Sequence, residues 1–140
     1  MTNRLLVLRK LSLVRERVLQ ARSRRSASPE ALRSNDVLLD ALALSVLIAV
    51  QEAIDIAFHI ATDEGWGVPA SYAEGFAVLA KHGVFDSAVA RSMTAAAGLR
   101  NRIAHAYATV DVERLWHELP EGLDAMDAFA LAVATFVGPE

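Results

Sequence analysis

The chain has no cysteine, few aromatic residues (6% of 140) and only four prolines and seven glycines. Without cysteine there is no disulfide, no thiolate metal site and no thiol nucleophile, and a reducing, cytoplasmic compartment fits that composition. No stretch of about 20 uninterrupted apolar residues occurs. The most apolar segment, Val37–Val50, contains Asp40 and Ser45 and runs into Gln51, Glu52 and Asp55. It is expected to be a buried helix of a soluble protein rather than a membrane span. The Arg-rich start, with Ser23, Ser26 and Ser28, superficially suits a transit peptide, but charges interrupt each apolar run too early for a secretory signal. Gly-rich phosphate loops, Cys/His zinc patterns and the Gly-x-Ser-x-Gly elbow are all missing. So is sustained apolar–polar alternation, which argues against strands.

What is present is helix former. Hydrophobic residues make up 54% of the chain, with Ala and Leu prominent, and both favour helix intrinsically. A chain of this length buries one real core, so a single all-α domain over 1–140 is expected. The net charge is −3, unevenly placed. Residues 1–25 carry Arg4, Arg9, Lys10, Arg15, Arg17, Arg22, Arg24 and Arg25 against one acid, Glu16, whereas the remainder is acidic. Such an arm either holds nucleic acid or docks on the acidic body; docking is the simpler reading.

Leu5, Leu8, Leu11, Val14, Val18 and Ala21 recur at helical spacing, which predicts a basic N-terminal helix over about 3–24. Ser26–Pro29 then opens a linker over 26–35, where Ser28 is a cap and Pro29 a first-turn residue. A long helix over 36–64 follows, apolar nearly all round in its first half. One small domain rarely covers such a helix on every side, so a homodimer is expected. Gly65-Trp66-Gly67-Val68-Pro69 is a turn, and Ser71-x-x-Glu74 a capping box before a short helix ending near Gly83. A fourth helix, capped by Asp86 or Ser87, reaches about Ala106. A fifth starts after Asp111, and Pro120 and Gly122 are expected to break or kink it. The predicted architecture is a five-helix up-and-down bundle.

One segment breaks the apolar pattern: Arg100-Asn101-Arg102-Ile103-Ala104-His105-Ala106-Tyr107. Arginine offers a planar, permanently charged fork for phosphate oxygens, and histidine exchanges protons near neutral pH. This combination suits phosphoryl-transfer chemistry on RNA better than metal-assisted hydrolysis. At about 100° per residue, Arg100 and Tyr107 share a helix face, while Arg100 and His105 stand roughly 140° apart. They converge through long side chains, a loosened last turn, or a second copy of the site across a dimer. A polar helix end with a satisfied histidine is the purely structural alternative. Asp55 and His59, one turn apart, have a two-ligand metal spacing, but no third ligand is near, so a hydrogen-bonded pair is expected. Trp66, Tyr72 and Trp116 are read as packing residues, and His82 and His117 are given no role.

Arg100, four residues, His105, one residue, Tyr107 resembles the RX4HXY signature of the HepT toxins, a branch of the HEPN superfamily. Ala53–Ile60, Val68–Tyr72, Phe76–Val84, Ala97–Arg102 and Asp111–Arg114 follow in that family's order, so the likeness covers roughly residues 36–136. Residues 1–25 are less typical. The resemblance implies a HEPN-like bundle acting as a ribonuclease toxin that needs no metal or cofactor. In it, Arg100 and His105 are the catalytic pair, and Asn101 and Arg102 bind or orient the RNA phosphate. It further implies a MntA-like minimal nucleotidyltransferase antitoxin that adenylylates Tyr107. The alternative is a non-catalytic HEPN module that binds nucleotide or such a partner.

Overall fold

The computed structural model describes residues 1–139, and among them every regular element is helical. Six α-helices follow in order: α1 (Arg4–Arg24), α2 (Pro29–Arg33), α3 (Asp36–Asp63), α4 (Tyr72–Lys81), α5 (Ser87–Ala106) and α6 (Val112–Val137), with a 3₁₀ turn at Tyr107–Thr109 between the last two. The count exceeds the expected five because part of the presumed linker folds. Ser28 Oγ accepts the Ala31 amide, Pro29 sits in the first turn, and Leu32 is fully buried. One buried leucine, at about 1.5–3 kcal/mol, holds a turn too short to form alone.

Short polar side chains start the helices, at Asp86 and Asp111 as the sequence indicates and also at Asn3 and Asn35. Asn3, Asn35, Asp86 and Asp111 each accept an amide of the following first turn, and each such cap contributes about 1 kcal/mol. At Ser71 the box is displaced by one residue: the hydroxyl accepts the Glu74 amide, but the Glu74 carboxylate accepts from Ala70. Gly83 takes φ +81° just after α4, the left-handed conformation glycine adopts freely.

α3 is the axis of the bundle and touches all five other α-helices. By length and composition it is apolar enough to cross a membrane; here its Leu42, Val46, Val50, Ile56 and Ile60 are fully or almost fully buried in the core. Leu44 and Val37 stay 52% and 81% exposed, so one stripe of this helix has no intramolecular cover. α1 packs on α3 through Val7, Leu11, Val14, Val18 and Ala21. Leu5 is on the outside, because two successive three-residue steps carry it about 120° round the helix from Leu11, whereas Val7, four residues away, is within about 40°. Phe76 of α4 meets Phe129 of α6 edge-on at 5.8 Å, with Phe85 beside it at 5.7 Å.

Pro120 does not break α6. Proline lacks the amide that would serve the carbonyl four residues back, which belongs to Trp116. Arg25 fills the gap: its Nε donates to the Trp116 carbonyl at 3.0 Å, and its guanidinium lies 3.6 Å from the centre of that ring. Other arm residues dock in the same way. Arg22 pairs with Asp124 and Asp127, Lys10 with Glu52 and Asp55, and Arg24 bonds Ser45, a fully buried hydroxyl. The basic helix therefore lies on the acidic body, as the simpler reading had it.

Candidate functional site

The approach to the site is lined with small residues. Ala96 and Ala97 are buried where α5 meets its neighbours, Ala95 and Gly98 face an open groove, and Leu99 and Ile103 anchor the helix in the core. Arg100 then leaves α5 toward α3. Its Nη2 donates to Gln51 Oε1 at 2.7 Å and its Nη1 to Asn101 Oδ1 at 2.9 Å. Both acceptors are neutral amides. The buried Nε has no hydrogen-bond partner, and among the described residues no carboxylate lies within ion-pair distance of the guanidinium. A partly buried positive charge without a counter-ion is costly, and an incoming anion relieves it.

Gln51 is itself held, its Nε2 donating to Asp55 Oδ1 at 3.0 Å, and the other Asp55 oxygen lies 3.6 Å from Lys10 Nζ. The expected Asp55–His59 pair is thus replaced by a link between α3, α5 and α1. Among the described residues no three His, Asp or Glu side chains group as a metal site.

α5 remains helical through His105, which is exposed in its last turn. The last turn is therefore not loosened there, and the wide angle between Arg100 and His105 stands. Tyr107 follows in the 3₁₀ turn and, like Arg100, reaches α3, where its hydroxyl donates to the Asp40 carboxylate. Burial, that hydrogen bond and the charges of Asp40 and Asp36 push its pKa up to about 12, because each disfavours the phenolate.

Arg102 does not share this face. It points to α6, where Glu118 takes both Arg102 Nη2 and Arg114 Nε, the latter at 2.8 Å. These groups border a groove of about 320 Å³ between α5 and α6 whose floor includes Gly98 and Gly122. The structure thus brings Arg100 and Tyr107 against α3, with Asn101 hydrogen-bonded to Arg100, leaves His105 exposed in the last turn of α5, and sets Arg102 apart. Trp66 and Trp116 pack against the core as read, with His82 stacked on Trp66 at 4.1 Å.

The family described as ribonuclease HepT-like matches residues 7–133. The chain belongs to the HepT-like ribonuclease family. The match includes most of α1, so the basic helix is part of the family fold. An mRNA nuclease HepT of Shewanella oneidensis is 26% identical over 92 residues, 66% of this chain and 69% of that one. A tri-AMPylated HEPN toxin of the same organism, solved in complex with its MNT antitoxin, superposes with a TM-score of 0.82 at 20% identity, covering 95% of this chain and 98% of that one. The Bacillus subtilis cytosolic protein YutE, of unknown function, gives 0.80 at 13% identity over 96% and 90%. The HepT-like resemblance and the helical HEPN-like fold read from the sequence are both met.

Sequence reasoning missed Asp40 and Gln51, noting them only as interruptions of an apolar run. Their spacing held the signal. Eleven residues are about three turns, so both lie on one α3 face, where Arg100 of α5 and Tyr107 of the following 3₁₀ turn reach them. Two polar positions on an otherwise apolar helix face mark where polar partners meet it.

Proposed function

We propose that the chain is the toxin of a toxin–antitoxin pair, a homodimeric, cytoplasmic endoribonuclease that needs no metal. Arg100 carries this reading. Its fork is aimed by two neutral oxygens, one donor is unused, and no carboxylate among the described residues pairs with it. Such an arrangement stabilises negative charge that develops on a phosphate. In the reaction the 2′-oxygen of a ribose bonds to the adjacent phosphorus and the bond to the leaving 5′-oxygen breaks. One proton leaves the 2′-hydroxyl and one reaches the 5′-oxygen. His105 moves a proton as general base or acid, Arg100 supports the crowded phosphorus, and Asn101 keeps the fork in place.

The unmet geometry between Arg100 and His105 supports a dimer in which two helix ends face one cleft. The uncovered stripe of α3 fits that interface: Val37 and Leu44 are exposed, Leu47 and Ile48 partly so, and Gln51 lies at its edge. Large uncovered apolar side chains in a row mark contact surfaces. The exposed Tyr107 suits adenylylation by a nucleotidyltransferase antitoxin. The AMP adds a negative phosphate and bulk beside the cleft, which blocks RNA by charge and volume.

The test is cleavage of total RNA by protein with free Tyr107 in excess EDTA, beside the folded His105→Ala variant. Cleavage that survives chelation and is lost in the variant supports the reading. A protein with free Tyr107 that leaves RNA intact would instead be a regulatory module that binds nucleotide or its partner.

A further inference from the structure

Arg100 has to be aimed without being neutralised, and the structure meets both demands with one side chain. We infer that Gln51 is the positioning residue for Arg100, held in the required orientation by Asp55 and, through it, by Lys10 of the basic helix. This rests on the ribonuclease reading.

A glutamine reaches as far as a glutamate but carries no charge. Its oxygen accepts from Arg100 Nη2 at 2.7 Å and fixes one arm of the fork while Asn101 fixes the other. A carboxylate at the same place would form a bidentate ion pair and compete with the substrate phosphate. An amide, however, has two ends. Turned over, Gln51 would direct its own N–H groups at a guanidinium that has only donors to offer. Asp55 prevents this by accepting from Gln51 Nε2 at 3.0 Å. The Asp55 side chain is 40% exposed and would swing freely, but Lys10 Nζ lies 3.6 Å from its second oxygen and 3.1 Å from Glu52. Burial works against the lysine charge, yet the hydrogen bond and field of Glu52, with Asp55 adding to both, outweigh it, so its pKa lies above 10.5. The network Lys10, Asp55, Gln51, Arg100 alternates cation, anion, neutral amide, cation. Glu52 shares the lysine, and the Arg100 guanidinium is the charged group of the network that has no opposite charge in direct contact.

The experiment compares Gln51→Glu, Gln51→Leu, Asp55→Asn, Lys10→Gln and Arg100→Ala in the full-length protein. Three readouts are used: cleavage kinetics, binding of a non-cleavable 2′-O-methyl oligoribonucleotide, and the arginine Nη resonances by NMR. Gln51→Glu weakens oligonucleotide binding and raises KM about tenfold, because the fork is neutralised. Gln51→Leu lowers kcat about tenfold at nearly unchanged KM, because charge stays and aim is lost. Asp55→Asn behaves as a weaker Gln51→Leu, and Lys10→Gln changes kcat by roughly two- to threefold. A purely structural residue would not divide its effects between KM and kcat in this way. The two Arg100 Nη groups give separate resonances in the wild type and merge in Gln51→Leu with the rest of the spectrum unchanged.

Wild-type kcat and KM in both Gln51 variants, with Arg100→Ala inactive, would overturn the inference and leave the ribonuclease site standing. Merged Nη resonances in the wild type would overturn it whatever the activity. Wild-type cleavage by Arg100→Ala would remove the ribonuclease site and the inference together.

Discussion

Two arginines two residues apart in the sequence have opposite fates. Arg100 faces α3, is held by two amide oxygens and keeps its charge; Arg102 faces α6, where the Glu118 carboxylate claims it together with Arg114. Neither helix propensity nor residue type separates them, since both are strong helix formers with the same fork. The charge of the acceptor separates them. A neutral acceptor aims a guanidinium and leaves it hungry for an anion, whereas a carboxylate satisfies it and leaves a local, partly exposed ion pair.

The largest effect tests the α3 side directly. Arg100→Ala is expected to lower kcat by roughly 10²–10³-fold, the range for losing one oriented donor at a developing negative charge, with single-turnover RNA cleavage as the measure. An Arg102→Ala change with the same loss would erase the contrast.

The second effect concerns proton affinity. Asp40→Asn should lower the Tyr107 pKa from about 12, with burial and Asp36 still holding it above the ordinary tyrosine value, read from ultraviolet phenolate absorbance. The sign for stability follows from the raised value. The folded state holds the phenol proton more tightly than the unfolded chain, so this stabilisation is intact below pH 10 and is lost as pH rises from about 10 to 12. A Tyr107 titration unmoved by Asp40→Asn would remove the α3 contact from the comparison.

A smaller effect turns one side into the other. Glu118→Gln gives Arg102 and Arg114 a neutral acceptor like that of Arg100. RNA binding should tighten a few-fold, and its salt dependence should steepen by about one unit of log–log slope per arginine that engages a phosphate. Unchanged binding and slope would show that acceptor charge alone does not govern these arginines. Smallest of all, Arg102→Gln should cost about 0.2–1 kcal/mol in denaturant unfolding, the range for a partly exposed ion pair, with cleavage within about threefold of wild type.

The sequence made the helices legible because caps and apolar spacing are local signals. Ser71, Asp86 and Asp111 announce their helices within one turn. It also marked Arg100, Asn101, His105 and Tyr107 as candidates, since a polar cluster closing an apolar helix stands out. The fate of Arg102 was hidden, because whether a helix face meets Gln51 or Glu118 depends on tertiary neighbours 49 and 16 residues away. The continuity of α6 through Pro120 was hidden for the same reason: nothing in its neighbourhood announces that Arg25, 91 residues from Trp116, serves the orphaned carbonyl.

That last repair ties the order of folding to the order of the chain. The middle of α6 is short of one donor until the end of α1 arrives, so α6 is incomplete as an isolated unit. During synthesis α1 emerges first and is already available when α6 leaves the ribosome. Amides around Trp116–Asp124 and those of the last turn of α1 should accordingly exchange with solvent as one cooperative unit, joining the two ends of the sequence into the same opening event.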